Sequence, residues 1–287
     1  MPPLVWVIGD ALLDVYVTQS APLELGTDRP AAVRLEPGGQ GANLAVRLAR
    51  RGVPVRLTCA IADDTAGAML RATLEADGVE VDARESSTTG VVIVLVDADG
   101  ERTMLSQRVP LMALDHEAAE ATWAVISGYL LLEPDAPRLP ALVAGAQRRA
   151  VAGCAITPAQ VEAWSSVLRA LGPDILVLNR EEARMLAGAE AAATVVVVTD
   201  PDGATATTHD RTLRVDAPAG EPAIDTTGAG DAFVAALLTE LLNHAWPPAP
   251  EPLERAMHAA TRLASAVART RGAQGRVLDE PPARLSS

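Results

Sequence analysis

The sequence contains no lysine; all 24 basic side chains are arginines. That excludes every mechanism needing a lysine amine: the P-loop lysine, the protein-kinase lysine and Schiff-base chemistry. The arginine and alanine excess reads as coding bias. Cysteine is nearly absent as well. Cys59 and Cys154 are too few for a disulfide framework or a zinc site, and they fit two reduced core thiols of a cytosolic protein. His116, His209, His244 and His258 have no metal-ligand spacing and read as scattered surface residues. No apolar run approaches the length of a membrane span. The N-terminal stretch Met1-Pro-Pro-Leu-Val-Trp-Val-Ile-Gly-Asp10 lacks the basic region of a secretory signal. Acidic residues outnumber basic ones by 37 to 24, a formal charge of -13. Nucleic acid and anionic membrane are therefore poor partners for the protein's overall field, although local donors can still hold a phosphate.

Apolar residues are plentiful, at 49% of 287, enough for one large α/β domain spanning residues 1–287. Leu4–Ile8 is a short apolar run ending in Gly9-Asp10, the pattern of a buried parallel strand. After it, Gly38-Gly39-Gln40-Gly41 turns into a helix at Ala42–Arg51 that Gly52 closes. A strand at Val53–Ile61 and a helix at Thr65–Ala76 follow. Strands at Thr89–Val96 and Arg102–Ser106 flank a hairpin turn at Asp99-Gly100. Further on, strands are expected at Ala124–Ser127, Val151–Ile156, Asp174–Leu178 and Thr194–Thr199. Helices are expected at Pro137–Ala150, Ala159–Leu171 and Glu181–Ala187. A second hairpin turns at His209-Asp210. Two helices, Ala229–Asn243 and Pro252–Thr270, finish the chain around a proline-rich linker. Arg50-Arg51 and Arg148-Arg149 read as solvated helix ends. The alternation predicts a mostly parallel sheet covered on both faces. Segments 11–37 and 88–108 form a small β lid over the strands' carboxyl ends, where open α/β sheets bind ligands.

Two segments carry chemistry. In Ile224-Asp225-Thr226-Thr227-Gly228-Ala229-Gly230-Asp231-Ala232-Phe233, small residues allow close backbone approach, and the following helix start offers N–H groups to an anion. Asp231, in the first turn, can take a proton from a hydroxyl beside a bound phosphate. Taken alone, the segment reads equally well as a helix capped by Asp225 and Thr226 with Asp231 complementing the dipole. In Gly38-Gly39-Gln40-Gly41-Ala42-Asn43, Asn43 can donate to and accept from sugar hydroxyls. A plain tight turn before a helix is the other reading.

Together these segments resemble the two signatures of the ribokinase-like (PfkB) family of carbohydrate kinases. Gly9-Asp10…Asp14, Asn179-Arg-Glu-Glu182 and Gly272-Ala273-Gln274 fall in order around them, so the resemblance covers nearly the whole chain. It implies a three-layer αβα sandwich with a small β lid, and transfer of the γ-phosphoryl group of ATP to a sugar hydroxyl. By resemblance, Asp231 is the catalytic base and Gly228, Ala229 and Gly230 form the anion hole. Asp14, Gly39, Gln40, Asn43 and Glu133 bind the acceptor. Asn179 and Glu182, placed on one helix face, orient the triphosphate and Mg²⁺, while Thr199 and Gly203 serve the nucleotide. Asp225 and Thr227 bind a monovalent cation such as K⁺. Cytoplasmic location and a homodimer paired through the lid are implied too, with no nucleic acid or membrane partner.

The chain departs from the family pattern in three places. Gln40 replaces a lysine common in ribokinases. The nucleotide loop Thr-x-Gly-x-x-Gly appears as Thr199-Asp-Pro-Asp-Gly203, one residue short and without its first glycine. Arg276 stands where a cation site has a small or hydroxyl residue. A nucleoside kinase on the same scaffold, a sugar-phosphate kinase served by Arg29, Arg34 or Arg108, and a catalytically silent sugar-binding protein are the competing readings.

Overall fold

The computed structural model describes residues 4–19, 24, 26–97, 102–111, 120–220, 222–275 and 277. The turn at Asp99-Gly100, His116 and Arg276 lie outside the described residues. Along the chain run β1 (Val5–Ile8), β2 (Leu12–Thr18), β3 (Ala32–Gly38), α1 (Gln40–Arg50), β4 (Val55–Ala60), α2 (Thr65–Ala76), β5 (Glu80–Arg84), β6 (Gly90–Val96) and β7 (Arg102–Gln107). There follow β8 (Ala121–Ser127), α3 (Leu139–Leu142), β9 (Ala146–Ala152), α4 (Val161–Leu171), β10 (Ile175–Asn179), α5 (Arg180–Met185), β11 (Val195–Asp200), β12 (Gly203–Thr207), β13 (Thr212–Asp216), α6 (Ala229–Leu241) and α7 (Pro250–Ala268).

The main sheet has nine strands in the order β13-β12-β11-β10-β9-β8-β1-β4-β5. From β11 through β5 all neighbours are parallel; β12 and β13 add antiparallel strands at one edge. Alternate side chains of each buried strand face opposite layers. Val5, Val7, Trp123 and Val125 join α1, α2, α6 and α7 in one core. Trp6, Ile8, Ala124 and Ile126 join α3 and α4 in the other. The family's three-layer α/β sandwich is thus present. Helix α6 is buried along most of its length, from Ala232 to Leu238, consistent with its almost wholly apolar sequence. Each of its fully buried leucines contributes about 1.5–3 kcal/mol.

A second, four-stranded sheet has the order β3-β2-β6-β7. Leu12, Tyr16, Val92 and Val94 on one face form a small cluster of their own. The opposite face carries Leu35, Val15, Ile93 and Leu105 in a single cross-strand row.

Several boundaries differ from expectation. The helix expected at Pro137–Ala150 is one α-helical turn, α3, between 3₁₀ turns at Ala136–Arg138 and Val143–Gly145. Leu139, Leu142 and Val143 mimic a helical stripe, but Pro140 and Gly145 shorten it, and the chain becomes extended at Ala146 to pair with β8 and β10. Arg148 therefore lies on a strand and stacks over Trp123 and Trp246. Arg50 is no solvated helix end either; it is 7% exposed and ion-paired with Asp77. Strand β5 was not expected. Its Glu80-Val-Asp-Ala-Arg84 composition suits a sheet edge, where charge discourages further pairing. Helix α7 starts two residues earlier than expected, at Pro250, because proline is well tolerated in a helix's first turn.

Candidate active site

The carboxyl ends of the parallel strands and the start of α6 meet beneath the small sheet. Gly228, the residue before α6, is left-handed (φ 76°), and a Cβ there would lie 2.8 Å from the Ala273 backbone. Only glycine fits that turn. It aims the helix N-terminus, with Ala229 and Gly230, into the cleft. Asp231, half-buried in the first turn, accepts a 2.9 Å hydrogen bond from Asn43 Nδ2, and Gln274 Nε2 donates to Asn43 Oδ1 at 3.0 Å. The buried guanidinium of Arg47 anchors the same segment by donating to Ala273 O at 2.7 Å. Burial pushes the Asp231 carboxyl up to about 7, against the hydrogen bond from Asn43 and with the help of Asp10.

Asp14 projects from β2 beside Glu36 on β3. Burial, Asp10 and Glu36 raise it to about 7, opposed by Arg108. Glu133 follows a 3₁₀ stretch at Gly128–Leu132 and accepts from the Leu111 amide at 2.9 Å. Burial raises it to about 7 too. It lines a small cavity with Asp10, Leu12 and Leu130. Gly39 is the residue before α1, its carbonyl accepting from the Asn43 amide at 2.9 Å. Gln40 lies close enough to the Asp231 carboxyl to favour its ionised form, and its amide is also held by the fold. Its amide nitrogen donates to Gly153 O at 2.7 Å, and its oxygen accepts from the Ser127 hydroxyl and the Gly128 amide at 2.6 and 3.0 Å. These bonds tie α1 to β8.

The part of the cleft around Asn179, Glu182 and Thr199 is built differently. Asn179 is not on a helix face with Glu182. It ends β10 in extended conformation and caps α5, accepting from the Glu181 and Glu182 amides at 2.9 Å, while Glu182 Oε2 accepts from the Asn179 amide. This is a capping box. Burial raises the Glu182 carboxyl. Thr199 lies opposite Asn179 in the parallel register of β10 and β11. The expected glycine loop is instead a tight hairpin joining β11 to β12, with Asp200 paired to Gly203. A Cβ on Gly203 would run into the Val215 carbonyl, so this glycine serves sheet packing. Arg214 and Arg180 ion-pair with Asp200, and Arg214 foremost holds that carboxyl down at about 2.

Asp225 and Thr227 meet an unexpected neighbour. Arg102, from β7, donates to Asp225 Oδ1 at 2.6 Å and contacts the Thr227 hydroxyl. Burial alone would raise the Asp225 carboxyl, but bonds from the Thr227 side chain and amide and the Gly272 amide, with Arg102 nearby, hold it below its ordinary value.

With the Gly228 turn, the Asn43–Asp231 bond and the capped Asn179 in place, comparison with known families is informative. Residues 3–280 match pfkB family carbohydrate kinase. The chain belongs to that family. Aminoimidazole riboside kinase of Salmonella typhimurium is 28% identical over 277 residues, covering 83% of this chain and 80% of that protein. Fructokinase-1 of Oryza sativa subsp. japonica is 30% identical over 275 residues, covering 84% and 83%. A crystal structure of fructokinase with bound ATP from Xylella fastidiosa superposes with a TM-score of 0.79 at 21% identity, covering 96% of this chain and 94% of that one; it shows the shared fold. This carbohydrate kinase is thus an enzyme of the sugar and nucleoside kinase group, and its family implies ATP as donor.

Sequence reasoning missed several residues of this kinase's site. Asp10 was read only as part of an opening motif, yet it bonds Gly41 N at 3.3 Å and pairs with Arg108. Its position at the end of β1 was the available signal. Arg47 and Gln274 brace Asn43 and the turn from far along the chain, and Arg102 reaches Asp225 across 123 positions. Gln274 was visible only as part of the Gly272-Ala273-Gln274 segment, without a role, and no local pattern marks Arg47 or Arg102. Among the described residues no group of acidic, histidine or cysteine side chains could by itself hold a metal, and no helix is long and apolar enough to cross a membrane.

Proposed function

We propose that this kinase transfers the γ-phosphoryl group of ATP to a hydroxyl of a small neutral sugar, with Asp231 as the base. The observation that carries the reading is the 2.9 Å bond between Asn43 and Asp231. It joins the two signature segments at the mouth of the Gly228–Gly230 turn, so one acceptor hydroxyl lies within reach of the base and the anion hole together. Asp14, Asn43 and Glu133 hold the sugar's other hydroxyls. Asp231 takes the hydroxyl proton as the oxygen attacks phosphorus; the new O–P bond forms, the bond to the β-phosphate oxygen breaks, and ADP leaves. Backbone N–H groups of Gly228 and Gly230 neutralise charge on the phosphoryl oxygens; the Ala229 amide already donates to the Thr226 carbonyl at 3.2 Å.

A neutral acceptor follows from the pairing of the available cations. Arg29 pairs with Glu24, Arg34 with Glu36, and Arg108 with Asp10. Each guanidinium that would greet a sugar phosphate already has a carboxylate. Asn179 Oδ1 and Glu182 Oε2 already accept amide hydrogen bonds, so this pair would meet Mg²⁺ chiefly through the waters that ion keeps, while substrate phosphates complete its shell. When bound, Mg²⁺ supplies charge neutralisation on the triphosphate. The small sheet serves as a lid that excludes water. Its outer face exposes Val33, Leu35 and Leu105 by 49–60%, and this apolar surface supports a homodimer paired through the lids. Leu105→Glu should then yield a monomer by sedimentation. The buried free thiols suit the cytoplasm.

ATP turnover across a panel of pentoses, hexoses, sugar acids, sugar phosphates and nucleosides tests the reading. Turnover confined to charged sugars would overturn the neutral acceptor. A nucleoside acceptor is the second reading, favoured by the similarity to a riboside kinase; a preference for nucleosides over every free sugar would establish it.

A further inference from the structure

The family resemblance puts a monovalent cation at Asp225 and Thr227, but the donors there are already engaged. Asp225 Oδ1 accepts from the Thr227 amide at 2.9 Å and from Arg102 Nη1 at 2.6 Å, and Oδ2 accepts from the Gly272 amide at 3.1 Å. The same Arg102 nitrogen contacts the Thr227 hydroxyl, and Nη2 reaches Thr226 Oγ1 at 3.4 Å. A potassium ion would have to displace a guanidinium that brings equal charge and directional donors.

We infer that Arg102 stands in for the monovalent cation, bracing the loop ahead of the anion hole, so that the kinase turns over without potassium. This rests on the reading of Gly228–Gly230 as the anion hole. The consequence differs from that of a diffusible ion, because Arg102 arrives on the small sheet. It sits at one end of β7, and Arg108, just past the other end, pairs with Asp10. One edge strand is therefore pinned at the acceptor pocket and at the anion-hole loop. Closing the sheet and setting the loop become one event, and Arg102 acts as a positioning residue.

The test compares wild type with Arg102→Gln in tetramethylammonium buffer with and without KCl. The Arg102 side chain is partly exposed at 28%, so the variant should fold. Wild-type kcat/KM should change by less than about two-fold with KCl. The variant should lose about ten-fold or more without potassium and regain part of it with KCl. Amide hydrogen exchange of residues 226–230 in ligand-free protein gives a readout independent of turnover. It should be faster in the variant, and slowed by KCl only there. Steep potassium activation of wild type, a variant defect that KCl leaves untouched, or equal exchange in both proteins would each overturn the inference. Absence of wild-type turnover with every acceptor would instead sink the kinase-site reading, while the exchange comparison would still decide the role of Arg102.

Discussion

The two ends of the cleft are assembled in opposite ways. At the proposed acceptor end, contacts span the chain: Asn43 to Asp231 across 188 positions, Arg47 to Ala273 across 226, Gln274 to Asn43 across 231. At the proposed nucleotide end, side chains satisfy near neighbours. Asn179 caps its own helix, and Asp200 answers Arg214 across a hairpin. Long-range bonds fix a geometry only when the whole fold is present, which suits a proton transfer that tolerates little displacement. Locally satisfied groups need only the strand and helix that carry them.

Asp231→Asn should expose this contrast most sharply. We expect kcat to fall by about 10²–10⁴-fold while KM for ATP and sugar stays within a few-fold; near-normal turnover would break the assignment. Next comes pH. With Asp231 raised to about 7, kcat/KM should rise about ten-fold per unit below that pH and level off above it. The stability consequence has the opposite sign. The folded state binds this proton more tightly than the unfolded chain, so the group's contribution is complete below about pH 4 and is lost as pH rises through 7. Asp231→Asn should therefore melt above wild type at pH 8, with the gap closing towards pH 4.

Asn43→Ala should raise KM for the sugar about ten-fold. It should also move the acid limb to higher pH, since the lost bond favours ionised Asp231. A rise in KM for ATP instead would mean the two ends are exchanged. Asn179→Ala removes a helix cap and should cost about 1 kcal/mol, read as a small drop in melting temperature, with KM for ATP raised only a few-fold. Arg214→Ala should be smallest, within about two-fold in KM for ATP, because it loosens a partly exposed ion pair; a larger change would show that the hairpin binds nucleotide directly.

The same contrast explains what the sequence made legible. The strand and helix alternation, Asp231 and its glycines, and Asn179 with Glu182 all lie in short segments whose spacing is visible along the chain. Gln40 was read from the same glycine segment as Asn43, and the Asp231 carboxyl does feel it; its other partners Ser127, Gly128 and Gly153 arrive only with the sheet. Arg102 looked like any arginine beside a hairpin, since nothing nearby in sequence points to Asp225. The one-turn α3 was overextended because Leu139, Leu142 and Val143 repeat at helical spacing whether the helix continues or not.

The aromatic side chains, few as they are, are sorted by region. Trp6 bonds Thr58, Trp164 bonds the Gly128 carbonyl, and Trp246 meets Trp123 edge-on at 5.3 Å, all within the body of the main sheet. Tyr16 lies under the small sheet against Arg34, and Tyr129 lies under Arg108. Tryptophan emission therefore reports on the body of the main sheet, whereas of the tyrosines only Tyr16 belongs to the small sheet, Tyr129 packing against the body.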